Sequence, residues 1–75
     1  MPTKLSHPLL RRVGARLRKA RRAKGLTQEA LALTAGLDRS FVSGTERGEH
    51  NISLLTLVKL AQVLQTSLSS LLENE

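Results

Sequence analysis

The stretch TQEALALTAGLDRSFVSGTERG, residues 27–48, contains two short helical segments that meet at a glycine. Thr27 and Asp38 are good N-cap residues for these segments, because a side-chain oxygen can accept from the free N–H groups of a first helical turn. Between the segments, Gly36 can take the positive φ of a tight turn, which a residue with a Cβ adopts less easily. The pattern predicts two short helices, the second of which ends at Gly48.

The residues around this turn suit two helices that cross closely. Ala32 is small, so the second helix of the pair can approach the first, while Leu37 and Val42 are apolar and fill the angle between them. Two short helices joined by such a turn are typical of a helix-turn-helix. The alternative is a generic helical bundle with the same kind of turn, and the basic segment that precedes the pair favours the helix-turn-helix.

Three more helices are predicted around the pair, because the rest of the chain repeats the same order of cap, apolar stripe and break. The first begins at Pro8, a residue suited to a first helical position, and stops at Gly25. The last runs from Leu68 to about Leu72. The caps of the first, fourth and fifth helices are expected at Ser6 or His7, at Ser53 and at Ser67. No segment alternates as a strand does, so an all-α fold of five helices is predicted.

The expected core consists of apolar residues that recur every three or four positions. We expect one small domain over residues 8–75, preceded by a flexible N-terminal arm over residues 1–7. The 75 residues include no Cys, so neither a disulfide nor a thiolate metal site can stabilise the domain. The predicted core residues, helix by helix, are Leu10, Val13, Leu17 and Ala20; Leu31, Ala32 and Ala35; Val42 and Thr45; and Leu54, Leu57, Val58, Ala61 and Leu64.

Positive charge is concentrated in the first predicted helix. The formal net charge is +6, and eight of the 12 Lys and Arg residues lie between positions 11 and 24, whereas only Lys59 follows position 48. The eight are Arg11, Arg12, Arg16, Arg18, Lys19, Arg21, Arg22 and Lys24. Such a charge favours a polyanionic partner, with nucleic acid first and an acidic membrane surface second.

Several classes of function are disfavoured by the composition. No signal peptide and no membrane span is evident, so a cytoplasmic protein is expected. His7 and His50 are the two histidines of a chain without Cys or an acidic cluster, so we expect no enzyme, metal site, cofactor or small-molecule ligand. A membrane-surface helix over residues 9–24 is the rival interpretation; it lacks aromatic anchors and leaves the helix-turn-helix unexplained.

The segments LRKARRAKGLTQEALALTAGLDRSFVSGTERG and NISLLTLVKLAQVLQTSLSSLL resemble the lambda-repressor-like, or Cro/C1-type (XRE), helix-turn-helix regulators. The similarity covers roughly residues 10–72. The stretch RSFVSGTERGEHNISLLTL is also similar to the controller proteins of restriction–modification systems. The resemblance implies a transcriptional regulator that binds double-stranded DNA as a homodimer on a pseudo-palindromic operator. An antitoxin or a phage-type repressor of the same fold is the alternative.

The resemblance also implies that the third helix enters the DNA major groove with its early outward residues at the base edges. Arg39 could then bond guanine in bidentate fashion, Ser40 could bond a base, and Ser43 a base or a phosphate. Two interpretations stay open for Phe41, contact with a thymine methyl or packing. Two also stay open for Gly44, close approach of the backbone to DNA or tolerance of a poor helix former.

Phosphate contacts are expected on either side of that helix. Thr27 and Gln28 lie at the start of the second helix, where free N–H groups and the helix dipole favour an anion. His50 and Asn51 lie in the loop after the third helix and could meet the DNA backbone. Similar controller proteins often have Arg at the position of His50, so the resemblance is weaker there.

Two structural features complete the expectations. The resemblance implies an ion pair between Arg21 and Glu46, which would join the first and third helices. Leu55, which lies on another face of the fourth helix than its core residues, and Leu68 and Leu71, which have little chain left to cover them, are expected in a homodimer interface. Folding of these leucines back onto the first helix is the alternative.

Overall fold

The computed structural model describes residues 7–73, and within this range the chain forms five α-helices joined by short loops. Their bounds are α1 Pro8–Ala23, α2 Gln28–Ala35, α3 Arg39–Glu46, α4 Leu54–Leu64 and α5 Leu68–Leu72. The predicted all-α, five-helix fold is therefore confirmed. Of the predicted arm, residues 1–6 lie outside the described residues and His7 is the N-cap of α1. Residues 74 and 75, the end of the predicted domain, also lie outside them.

Side-chain caps begin four of the five helices. In each case a ring nitrogen or hydroxyl oxygen accepts a hydrogen bond from a backbone N–H of the first turn, at 3.0–3.1 Å. These N-cap residues are His7, Thr27, Ser53 and Ser67. Asp38 differs from the expectation, because it occupies the N-cap position of α3 without a side-chain bond and only its carbonyl accepts, from the N–H groups of Phe41 and Val42.

The turn between α2 and α3 has the geometry that its glycine predicts. Gly36 ends α2 with φ 70° and ψ 35°, in the left-handed region, and Leu37 N–H donates to the Ala32 carbonyl at 2.8 Å. This bond closes the C-terminus of α2 and directs the chain immediately into α3. Leu37 packs against the core and Val42 is fully buried, as the helix-turn-helix pattern requires.

A single aliphatic core lies between the helices, with α1 packed on α3 and α5, and α2 packed on α3 and α4. Its buried members are Val13, Leu17, Leu31, Ala32, Ala35, Val42, Leu57, Leu60, Ala61, Leu64 and Leu71. Most of the predicted core residues are among them, and the expected Thr45 is buried as well.

Two predictions about leucines are wrong. Leu54, expected in the core, is 62% exposed, whereas Leu60, which was not expected there, is 1% exposed. Leu54 is the first residue of α4, where the neighbouring helices leave it largely uncovered. Leu71, expected in a dimer interface, is 1% exposed and belongs to the core, because α5 folds back onto α1 and α4.

Candidate nucleic-acid interface

The outward face of α3 begins with two exposed polar residues, Arg39 and Ser40. Val42 and Thr45 form the opposite face and are buried, so the orientation of α3 on the core is set by packing. Within residues 7–73, Arg39 has neither a hydrogen-bond nor an ion-pair partner. Its guanidinium therefore offers all of its donors to an external group, as a base-reading arginine must.

Phe41 lies half-buried beside this face and stacks on His50, with 4.8 Å between the ring centroids and 12° between the ring planes. The imidazole lies above Gly44, where an added Cβ would come within 2.4 Å of His50 Nε2. Gly44 thus leaves room for a side chain of the same protein. The sequence left two interpretations of Gly44 open, close approach of the backbone to DNA and tolerance of a poor helix former. Neither predicted that the imidazole of His50 occupies the space over Gly44.

Arg47, which follows the last residue of α3, is fixed by two neighbours. Its Nη1 donates to Ser43 Oγ at 2.5 Å, and its Nε and Nη2 donate to the two carboxylate oxygens of Glu49 at 3.0 Å each. The hydrogen bond that Arg47 donates to Glu49, and then the negative charge of Glu49, raise the pKa of Arg47 above its ordinary value. Ser43, a predicted DNA contact, therefore faces Arg47, so an external group would meet the two side chains together.

A buried ion pair joins α1 to α3. Arg21 Nε donates to Glu46 Oε2 at 2.6 Å, and Arg21 Nη2 donates to Glu46 Oε1 at 3.1 Å, so the contact is bidentate. Arg21 Nη1 also donates to the Leu26 carbonyl at 2.7 Å, and Gln28 Nε2 donates to Glu46 Oε1 at 3.1 Å. Arg21 and Glu46 are thus brought together as the family resemblance implied. Gln28, expected to meet phosphate, contacts this pair through its amide.

Close backbone contact reinforces the same junction. An added Cβ on Gly14 of α1 would lie 2.4 Å from the Thr45 carbonyl oxygen and 2.6 Å from that of Glu46. A Cβ on Gly48 would lie 2.7 Å from Arg11 Cα. Glycine at these two positions therefore allows α1 to pack directly against the C-terminal end of α3.

The remaining predicted phosphate contacts lie at the edges of this surface. Thr27 is exposed, and its hydroxyl caps α2 by accepting from Ala30 N–H at 3.0 Å. Asn51 is exposed in the loop after α3, where it borders a groove with Leu9 and Leu10. Both residues remain open to a partner, whereas the imidazole of His50 is held against Phe41.

Part of the positive charge of α1 is directed away from α3. Arg12 Nε donates to the Glu73 carbonyl at 3.0 Å, and Arg16 Nη1 donates to the Ser70 carbonyl at 3.3 Å and to that of Glu73. These bonds hold the C-terminal end of α5, where backbone carbonyls lack helical partners. The sequence did not reveal this role, because charge alone does not indicate which helix a long side chain meets.

Exposed leucines form an apolar surface on α4 and α5. Leu55 is 82% exposed, Leu54 62% and Leu72 37%, whereas Leu68 is half-buried against the core. Leu54 and Leu72 line one shallow groove with residues of α1. Of the three predicted interface leucines, Leu55 and part of Leu68 are therefore available to a partner, and Leu71 is not.

The membrane and enzyme interpretations concern the length of the helices and the two histidines. No helix within residues 7–73 combines the length and the apolar character needed to cross a membrane. His7 caps α1 and His50 stacks on Phe41, so each of the two histidines has a structural contact of its own.

A chain with this turn and this exposed third helix is a helix-turn-helix protein. A family model described as helix-turn-helix matches residues 17–71. The control protein C.SmaI of Serratia marcescens is 41% identical over 59 residues, which are 79% of this chain and 70% of that protein. The protein therefore belongs to the Cro/C1-type helix-turn-helix family of DNA-binding transcription regulators.

Solved structures agree with this assignment. The restriction-modification controller protein C.AhdI from Aeromonas hydrophila is 52% identical, with a TM-score of 0.79 over 83% of this chain and 94% of that chain. The controller protein C.Esp1396I, as a tetramer in complex with its natural 35 base-pair operator, is 36% identical, with a TM-score of 0.75 over 84% of this chain and 83% of that chain. The resemblance to controller proteins noted in the sequence is thereby confirmed.

Proposed function

We propose that this protein is a sequence-specific transcriptional regulator of the controller type, which binds a pseudo-palindromic DNA operator as a homodimer in the cytoplasm. The observation that carries the proposal is the α3 face, on which Arg39 and Ser40 are exposed while the opposite side of the helix is buried. A helix held in this way can enter the major groove, whose width accommodates an α-helix. Its family and the operator complex of C.Esp1396I support the same assignment.

In the proposed complex, base and backbone contacts come from different elements. Arg39, Ser40 and Phe41 reach base edges, while Thr27 and Asn51 approach phosphates from the two flanks of α3. Arg47, which sequence reasoning did not include, adds a permanent positive charge beside Ser43. Its two-residue spacing from Glu49 is the sequence signal that could have indicated a preorganised arginine.

Dimerisation is assigned to the apolar surface of α4 and α5. We place Leu54, Leu55 and Leu72 in the interface, with the exposed part of Leu68, and exclude Leu71 because it is buried within the protomer. A two-fold dimer presents two copies of α3 about 34 Å apart, one turn of DNA. The operator is therefore expected to contain two inverted half-sites with that spacing.

DNA binding is tested with duplexes selected from a random pool by the purified protein. Fluorescence anisotropy is expected to show preference for the selected sequence and a steep salt dependence. If a dimer neutralises about 6–10 phosphates, log K falls with log[salt] at a slope of roughly −5 to −9. Equal affinity for all sequences, or a flat salt response, would contradict the proposal.

The dimer and the regulatory role need separate measurements. In sedimentation equilibrium the wild-type mass is expected near twice 8.2 kDa at micromolar concentration, and Leu55→Glu is expected to give monomers. Gln62→Ala, an exposed change elsewhere on α4, is the matched control. A genome-wide pull-down of bound DNA is expected to recover promoters next to restriction–modification genes. Recovery of phage or toxin–antitoxin promoters instead would favour the alternative roles.

A further inference from the structure

The stacked pair of Phe41 and His50 lies outside the hydrophobic core, on the surface of α3. Phe41 and Gly44 are three residues apart on α3 and are therefore neighbours on the helix surface. After α3 the backbone turns back toward this helix, because Gly48 adopts φ 77° and Glu49 N–H donates to the Gly44 carbonyl at 2.9 Å. This return places His50 directly above Gly44 and beside the Phe41 ring.

The fit of the imidazole depends on the absence of a side chain at position 44. An added Cβ would lie 2.4 Å from Nε2, 2.8 Å from Cδ2 and 3.3 Å from Cε1 of His50. The ring therefore occupies the space that any other residue at position 44 would fill. At 4.8 Å between centroids and 12° between planes, it supports one face of Phe41.

An open groove on the α3 surface lies beside this pair. Phe41 remains half-exposed and borders, with Ser40, Arg47 and His50, an open groove beside the residues proposed to read bases. A free phenylalanine on a helix surface has several rotamers, but a stacked one is held in one orientation before DNA arrives. This groove on the protein is thus lined by one apolar, rigid side chain, Phe41, among polar side chains. In the major groove, the apolar group that such a ring fits is the 5-methyl of thymine.

We propose that His50 is a positioning residue that, seated over Gly44, holds Phe41 in the orientation that contacts a thymine methyl in each half-site. This inference rests on the proposed function, because it requires α3 to enter the major groove. It differs from the sequence-based expectation for His50, which placed that residue on a phosphate. It also gives Phe41 both of the roles that the sequence left open, packing against His50 and contact with a base.

The stack itself is tested without DNA. In the wild-type protein the His50 ring protons are expected to resonate upfield of those of an exposed histidine, since they lie over an aromatic face. Phe41→Leu and Gly44→Ala are both expected to abolish that shift, the first by removing the ring and the second by displacing the imidazole. Gln62→Ala is the control. Unshifted His50 resonances in the wild-type protein would overturn the inference, whatever the protein does on DNA.

The effect on base reading is tested with the selected operator, in which each thymine is replaced in turn by deoxyuridine in both half-sites. At the thymine that Phe41 contacts, loss of the methyl is expected to weaken wild-type binding roughly fourfold per half-site. This factor corresponds to the free energy of burying about one methyl-sized group. In His50→Ala and in Gly44→Ala, the same replacement is expected to change affinity less than about twofold. In the double variant that combines His50→Ala with Gly44→Ala, the loss of the methyl is expected to change affinity by as little as it does in His50→Ala.

The outcomes separate this inference from the proposed function. Absence of any preferred sequence in the wild-type protein would refute the proposed function, and with it the reading of a methyl group. Sequence-specific binding without a methyl effect, or a methyl effect that persists in His50→Ala, would refute only the positioning role. Circular dichroism on each variant establishes that it is folded before its affinity is compared.

Discussion

The two halves of α3 differ in what surrounds them. At the N-terminal half, Arg39 and Ser40 are exposed and Asp38 does not cap with its side chain. At the C-terminal half, Thr45 and Glu46 are buried, held by α1 through direct backbone contact and through the ion pair with Arg21. One eight-residue helix thus has an end that is fixed and an end that is open to a partner.

The comparison explains how a helix of only eight residues can be held firmly and still keep exposed side chains. A helix of this length is marginal alone, so its stability has to come from tertiary packing. Because the contacts with α1 are concentrated at the C-terminal half, Arg39 and Ser40 at the start of α3 stay exposed. Changes at the buried half are therefore expected to alter folding, and changes at the open half to alter DNA recognition.

Removal of the Glu46 carboxylate is expected to have the largest effect. Glu46→Ala leaves the buried guanidinium of Arg21 with only the Leu26 carbonyl as a described partner, and breaking a buried pair costs about 3–5 kcal/mol. Urea unfolding is expected to show this loss, and Arg21→Met in the same protein is expected to restore part of it. An unchanged unfolding midpoint would mean that α1 and α3 are held by other contacts.

Gly14→Ala tests the close approach at the same junction. The added Cβ meets two backbone carbonyl oxygens of α3 within 2.6 Å, and backbone cannot move as a side-chain end can. We expect a loss of about 3 kcal/mol, the upper part of the usual range for overpacking, despite the better helix propensity of alanine. Ala15→Gly, at an exposed neighbour on α1, is the control and is expected to cost about 1 kcal/mol through propensity alone. A gain of stability in Gly14→Ala would show that α1 and α3 are further apart.

Arg39→Ala probes the open half of α3. Its guanidinium has no hydrogen-bond or ion-pair partner within residues 7–73, so urea unfolding is expected to stay unchanged. Affinity for the selected operator is expected to fall by roughly 1–3 kcal/mol, while affinity for random duplex falls less. Equal losses on both kinds of DNA would instead assign Arg39 to a phosphate.

The smallest expected effect is a gain of stability at Thr45. Its Oγ1 is buried without a hydrogen-bond partner among the described residues, and an unsatisfied buried hydroxyl is destabilising. Thr45→Val keeps the shape and removes this hydroxyl, so we expect a gain of about 1 kcal/mol in urea unfolding. Thr34→Val, which removes a hydroxyl that donates to the Ala30 carbonyl, is the matched control and is expected to give no gain. A loss in Thr45→Val would indicate that the hydroxyl has a partner.

The helices and their limits were predictable from sequence because they depend on local chemistry. Thr27, Ser53 and Ser67 cap where their hydroxyls can reach the next turn, and Gly36 ends α2 in the left-handed region. The family resemblance, carried by residues spread over most of the chain, implied the pairing of Arg21 with Glu46. These inferences need only neighbours in sequence or a known fold.

Burial of individual side chains was decided by the tertiary structure, because periodicity indicates a face of a helix but not what covers it. Leu54 is exposed although it was expected in the core, Leu60 is buried although it was not among the predicted core residues, and Leu71 is buried because α5 packs on α1. The position of His50 over Gly44 depends on the turn of the chain after α3, which brings together two residues that are six positions apart. No periodic pattern in the sequence indicates this contact. Sequence thus determined which segments are helical and to which family they belong, whereas three-dimensional packing decided which side chains are buried and which stay exposed.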